Sequence, residues 1–164
     1  MVVILVRRAK NDDIESIVKL WKEMMSFHIE LDPVYDMKPN APELFRSYAL
    51  DCIGDMEKRV FVCCSNDQIV GVVFACISEH PPVYLDSRIG EVSSLCVTKE
   101  YRRKGAGKML AAECEKWFRE NGIGRAECMV SSTNPLSQAF WKACGYTEYN
   151  KQCCKRLYGV PNKT

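Results

Sequence analysis

No run of apolar residues in this chain is long enough to cross a membrane. The opening MVVILV is short, and Arg7 and Arg8 follow it where a secretory leader would carry its charge in front, so a strand is expected there instead. Asn162-Lys163-Thr164 fits a glycosylation acceptor pattern, but without a leader it carries no weight. No Cys-x-x-Cys pair occurs among the ten cysteines, and the two histidines, His28 and His80, are far apart, so the usual zinc spacings are missing and no metal is expected. The cysteines sit inside apolar runs, as Cys63-Cys64, Cys76, Cys96 and Cys128 do, where a thiol acts as a small hydrophobe. Reduced thiols and a cytoplasmic location are therefore expected, not a disulfide scaffold. An excess of one charge is lacking too. With 23 Lys and Arg against 21 Asp and Glu, the formal net charge is +2, too small to draw the molecule onto nucleic acid or anionic lipid. Neither partner is expected.

What is present is an ordinary globular composition, 47% hydrophobic and 27% charged, in 164 residues. That length predicts a single domain over residues 1–164 with one substantial core. Residues 2–8 are β-rich, and Asn11-Asp12-Asp13 offers cap and first-turn acids for a helix. Ile14, Ile17, Val18, Trp21, Met25 and His28 recur at helical spacing. Glu30 to Asn40, with two prolines, is expected to be a loop, and a short helix over about Pro42–Cys52 follows. Val60–Cys64 and Ile69–Ile77 flank Ser65-Asn66-Asp67-Gln68, a hairpin pattern. Strands are expected over Arg88–Val97, Ala126–Val130 and Tyr146–Leu157, with helices over Gly105–Glu120 and from Asn134-Pro135 to Cys144. The order βααβββαβαβ implies an α/β (α+β) fold: a mixed sheet, its early hairpin antiparallel and its two late crossovers parallel, with helices on its faces.

Within this order one stretch stands out. Residues 101–110 read YRRKGAGKML, four basic side chains around Gly105 and Gly107. A Walker loop would need glycine at Arg102 and a hydroxyl at Met109; a dinucleotide fingerprint would need glycine or alanine at Leu110. Both templates fail. A strand–basic turn–helix start still offers free N–H groups and a positive dipole end to an anion, and glycine allows close approach. The competing reading is a solvated basic turn.

Arg102-Arg103-Lys104-Gly105-Ala106-Gly107 resembles the [R/Q]-x-x-G-x-[G/A] signature of the GNAT superfamily of acyl-CoA-dependent N-acetyltransferases. The similarity extends along the chain: VRRAKNDDI is similar to that family's first strand and helix start, QIVGVVFACI to its third strand, and NPLSQAFWKACGY to its last helix. The resemblance implies a mostly antiparallel sheet whose parallel central strands, holding Leu95 and Cys128, splay apart around acetyl-CoA as co-substrate. It places the pyrophosphate on the backbone from about Arg103 to Lys108, with Arg102, Arg103, Lys104, Gly105, Ala106, Gly107 and Lys108 as cofactor-binding residues. Leu95, Cys96 and Val97 would line the pantetheine, and a backbone N–H among them would face the developing oxyanion.

For the base, the residues favour Glu91 in EVSSLCV. Glu91, Ser93, Leu95 and Val97 share a face if no bulge intervenes, and a carboxylate in an apolar strand has a raised pKa suited to taking a proton. Histone-acetylating members of the family place a catalytic glutamate eleven residues before the signature, and Glu91 stands eleven before Arg102. The competing reading is a surface glutamate at a strand start. Cys96 lacks a visible base, so packing suits it better than nucleophilic catalysis.

Asn134, Ser137 and Trp141 are spaced for one helix face. The resemblance implies that Asn134 contacts pantetheine and that a tyrosine seven residues later protonates the leaving thiolate. Trp141 stands there and supplies a donor that does not titrate, so Tyr146, Tyr84 or water would have to act, or no acid is needed. Asp32, Tyr35 and Tyr84 are candidate contacts for a cationic amine, a small molecule or a peptide. Exposed loop aromatics and the family's habits suggest a homodimer. The expected activity is direct acetyl transfer in a ternary complex; the alternative is a non-catalytic acyl-CoA-binding regulator of the same fold.

Overall fold

The computed structural model describes residues 3–155 and 157. Five strands, β1 (Leu5–Arg8), β2 (Lys58–Ser65), β3 (Gln68–Glu79), β4 (Arg88–Val97) and β5 (Ala126–Cys128), form one sheet in sequence order. The first three junctions are antiparallel and β4–β5 is parallel. Four helices complete the fold: α1 (Ile14–Leu31), α2 (Ala41–Gly54), α3 (Ala106–Glu120) and α4 (Pro135–Ala143).

The β2–β3 hairpin closes through Asn66 and Asp67, both at positive φ (48° and 62°), the arrangement of a two-residue turn whose twist matches the strands. Asp13 does not cap α1 with its side chain; it accepts two hydrogen bonds from Arg7 (2.7 and 2.9 Å) and one from Lys10 N–H (2.7 Å). The Arg7 contact, which outweighs the opposing effect of burial, holds the Asp13 carboxyl below its ordinary range, with the Lys10 N–H adding to it. Beyond Leu31 the chain forms a single 3-10 turn at Pro33–Tyr35, so Glu30 and Leu31 lie in the helix and not in the loop expected there.

The sheet separates two hydrophobic layers. On one face Leu110, Ala111, Cys114, Trp117 and Phe118 of α3 pack on Val73, Ala75 and Val92. On the other, Ile17 and Leu20 of α1 with Phe45 and Ala49 of α2 cover Val60, Val62, Val72, Phe74 and Cys96. Each large apolar side chain so buried contributes about 1.5–3 kcal/mol. Gly90 is where α3 comes nearest the sheet: a Cβ there would lie 2.5 Å from Cγ of Phe118.

One expected strand does not form. Residues 146–155 and 157 hold no strand, and Arg156, within the expected Tyr146–Leu157 span, lies outside the described residues. Among the described residues one parallel junction results where two were expected. Tyr149 reaches back to β5 by side chains alone, its hydroxyl donating to Glu127 Oε2 (2.6 Å) under the Arg125 guanidinium (4.8 Å from the ring centroid).

Candidate active site

The parallel junction is brief. Gly90, Glu91 and Val92 pair with Ala126, Glu127 and Cys128; β5 then ends while β4 continues to Val97. The β5-facing edge of β4 is thereby left open. Thr98 N–H donates to Val70 O on the β3 side (2.9 Å), so by the strand's alternation the N–H groups of Val97 and Leu95 face the opening. Arg102 Nε donates to Val97 O (3.0 Å) and ties the basic turn to the strand end.

A bulge sits in the same segment. Phe74 pairs with Ser93 and Val72 with Cys96, so Val73 opposes both Ser94 and Leu95, and Ser94 takes φ 51°. The bulge shifts the alternation by one. Glu91 and Ser93 share the α1/α2 face with Cys76 and Phe74, whereas Leu95 and Val97 pack on the α3 side. The expectation of one face for all four residues fails because the extra residue breaks the pleat. Cys96 instead faces α1 and donates to Leu20 O (3.3 Å); burial pushes its thiol up to about 11, which leaves it protonated and inert.

Glu91 is exposed, so the apolar surroundings expected for it are absent. Its Oε2 accepts from Cys76 Sγ at 3.5 Å across the β3–β4 pair. Cys76 itself is pushed up to about 11, first by burial and then by the Glu91 charge.

The basic turn builds an anion-accepting helix start. Arg103 (φ 60°) and Gly105 (φ 90°) both adopt left-handed conformations, and Gly105 is the N-cap of α3 without a side-chain cap. Met109 N–H is the first to reach back, to Gly105 O (3.0 Å), so the first-turn N–H groups of Ala106, Gly107 and Lys108 point out of the helix end. A Cβ on Gly105 would meet nothing within 4 Å, whereas one on Gly107 would lie 3.0 Å from Phe140 Cε2 and 3.7 Å from Leu95 Cδ2. The two glycines therefore differ: Gly105 borders open space, and Gly107 admits the Phe140 ring of α4. Lys104 stands over the Tyr101 ring, Nζ 5.0 Å from its centroid.

On α4, Asn134 is the N-cap, its Oδ1 accepting from Ser137 N–H (3.0 Å). It is 5% exposed, and its Nδ2 lies 3.4 Å from Nε2 of His28 in α1. Sequence reasoning placed His28 on the buried face of α1 without a role; no local pattern could reveal a partner on α4. Trp141 lies inside the α3-side layer, 7% exposed, edge-on to Phe140 and Tyr146 (5.1 and 4.9 Å). Ser137 and Trp141 stand i, i+4 on one face of α4, with Asn134 at its N-cap. The Tyr146 hydroxyl is buried without a hydrogen-bond partner among the described residues, and burial pushes its pKa up.

Of the three acceptor candidates, Asp32 and Tyr35 share one 3-10 turn and Tyr84 lies in the β3–β4 loop. Asp32 accepts from Val34 N–H (2.9 Å) and so caps the 3-10 turn; Tyr35 packs on His28 (5.2 Å); Tyr84, 59% exposed, lies edge-on to His80 in the β3–β4 loop (6.2 Å).

Comparison with known proteins agrees with this geometry. The model of the Acetyltransferase (GNAT) family matches residues 15–146. An uncharacterized N-acetyltransferase of Archaeoglobus fulgidus is 26% identical over 137 residues, covering 83% of this chain and 88% of that protein. Another, from Chlorobaculum tepidum, is 31% identical over 65 residues, 40% of this chain and only 39% of its own length. Among solved structures, a predicted acetyltransferase of Clostridium acetobutylicum with acetyl-CoA superposes with a TM-score of 0.77 at 17% identity, over 94% of this chain and 97% of that one. An aminoglycoside 6′-N-acetyltransferase of Acinetobacter haemolyticus gives 0.76 at 15% identity, over 95% and 99%. Open strand edge, anion-accepting helix start and family match coincide on the same residues, and this chain belongs to the GNAT family of acetyltransferases.

Proposed function

We propose that the protein transfers an acetyl group from acetyl-CoA to a primary amine, directly and in a ternary complex. The observation that carries this reading is the continuity of the open β4 edge with the α3 start: one strand leads from Glu91 through the Leu95 and Val97 N–H groups into the turn at Gly105. Those two N–H groups suit the amides of a pantetheine arm, and the first-turn N–H groups of Ala106, Gly107 and Lys108 suit a pyrophosphate. Arg103, Lys104 and Lys108 add counter-charge. Gly105 offers the open approach that such an anion requires. Asn134 has less to give, since its Oδ1 caps α4 and its Nδ2 faces His28.

Acetyl-CoA supplies a thioester carbonyl; the amine nitrogen bonds to its carbon as the carbon–sulfur bond breaks. Glu91 accepts the proton that the amine loses, directly or through water. The Leu95 or Val97 N–H donates to the carbonyl oxygen as charge builds there. No protein acid is assigned to the thiolate: Trp141 is packed away, and a thiolate leaves readily near neutral pH.

The test is twofold. Acetyl-CoA raises the melting temperature by binding the native state, and an amine panel releases free thiol from acetyl-CoA. A non-catalytic acyl-CoA-binding regulator, the reading that Trp141 in place of a hydroxyl favours, gives the thermal shift and no thiol release. Absence of the shift overturns both.

A further inference from the structure

The α1/α2 face carries an apolar groove that the transfer chemistry does not use. It has a volume of about 340 Å³ and is lined by Trp21 and Met25 of α1, Met37 and Lys38, and Ala41, Leu44, Phe45 and Tyr48 of α2. Its floor is an aromatic stack: Trp21 lies parallel to Phe45 (4.2 Å, 6°), Phe45 meets Phe74 (5.6 Å), and Tyr48 stacks on Phe74 (6.0 Å, 18°). Its wall is unusually bare for such side chains, Leu44 being 51% and Tyr48 47% exposed.

The stack leads towards Glu91. Phe74 pairs with Ser93, and the next pair on that face is Cys76 with Glu91. The Tyr48 ring lies on the same face as that pair, with Lys58 Nζ 5.9 Å from its centroid; its phenol pKa is pushed up by burial first, then by Cys52, with smaller contributions from Cys76 and Glu91. Glu91 is not itself part of the lining; it stands on the same face of the sheet, one residue pair beyond the Tyr48–Phe74 end of the groove.

Its charge excludes one large class of amines. No carboxylate lines the groove, Lys38 is its single charged residue, and Asp32 in the neighbouring loop is turned to the Val34 N–H. A polycation would meet Lys38 in the groove and Lys58 at its Tyr48 end, whereas a single ammonium needs only the Glu91 carboxylate, Lys58 being turned to Asp55 (3.7 Å). At 340 Å³ the groove is near the small end of ligand sites, room for one ring or branched alkyl body.

Building on the acetyl-transfer reading, we infer that the acceptor is a monoamine with an aromatic or branched aliphatic body, seated in the Trp21–Leu44–Tyr48 groove with its nitrogen towards Glu91.

Isothermal titration decides this with phenethylamine, isoamylamine and spermidine as probes, added to protein with and without saturating CoA. Phenethylamine is expected to bind at least tenfold more tightly than spermidine, with isoamylamine nearer the former. Ala41→Trp, which fills the groove, and the milder Leu44→Gln at an exposed position should each weaken phenethylamine at least fivefold; circular dichroism and CoA affinity report whether each variant is folded. Spermidine binding as tight as phenethylamine, no binding of any probe, or phenethylamine affinity unmoved in both folded variants overturns the inference. A separate titration showing no CoA binding overturns the acetyl-transfer reading instead, while the CoA-free amine comparison still decides the groove.

Discussion

His28 and Asn134, 106 residues apart, meet with Nε2 of the imidazole 3.4 Å from the Asn134 side-chain nitrogen, joining the last turns of α1 to the cap of α4. Because Asn134 Oδ1 is engaged by Ser137 N–H, its Nδ2 is the donor and His28 must accept through an unprotonated Nε2. The contact needs a neutral imidazole.

Burial lowers the His28 pKa from the ordinary 6.5, so the unfolded chain takes up a proton at a higher pH than the folded one. The stability that the neutral ring contributes is present above about 6.5, declines as pH falls through that value, and levels off below the folded pKa. Thermal melts of wild type between pH 7.5 and 5 should show this decline, and His28→Gln should flatten it. An equal slope in both proteins would show that His28 does not carry it.

Glu91→Gln should keep the exposed side chain's size while removing its proton acceptance. Steady-state assays with an active amine should give a fall in kcat/KM of about 10²-fold or more, with acetyl-CoA affinity unchanged. A variant as active as wild type across the pH range would remove Glu91 from the chemistry.

Gly90→Ala should be among the costliest small substitutions in the chain. Its Cβ would meet the Phe118 ring at 2.5 Å, and Phe118 is 2% exposed with nowhere to move. Overpacking of this kind costs about 1–3 kcal/mol. Chemical denaturation should show that loss, and Phe118→Leu added to Gly90→Ala should recover part of it.

The two glycines of the basic turn should respond differently to alanine. At Gly105 the left-handed backbone imposes about 1–2 kcal/mol on any side chain, with no compensating gain. At Gly107, inside α3, alanine adds up to about 1 kcal/mol of helix propensity against a displacement of the partly exposed Phe140 by a few tenths of an ångström. Denaturation midpoints should fall for Gly105→Ala and stay near wild type for Gly107→Ala. Equal losses would mean that the strain at Gly105 is relieved elsewhere.

Much of this architecture could be read from local chemistry. Asn134-Pro135 announced a cap and first helical residue, and Asn134 does accept from Ser137 N–H. Asn66-Asp67 announced the hairpin, and the basic turn announced a helix start. What escaped were features decided by distant residues. The bulge at Ser94 depends on how β3 and β4 register, which alternation within β4 cannot reveal, and it moved Leu95 and Val97 to the face opposite Glu91. The segment from Tyr146 has the apolar and aromatic residues of a strand, yet Tyr149 engages β5 by its hydroxyl and ring, not by a backbone ladder. The His28–Asn134 contact spans two elements whose sequences do not mention each other.

Ser94 is supernumerary to the sheet. Leu95, Cys96 and Val97 already stand on the faces that unbroken alternation from Ser93 would assign them if Ser94 were absent, so its deletion leaves both hydrophobic layers in phase. What deletion removes is the kink in the strand edge that faces the opening. On the proposed acyl-donor reading, a chain shortened by this one position should keep its fold by circular dichroism while titration shows weaker binding of acetyl-CoA.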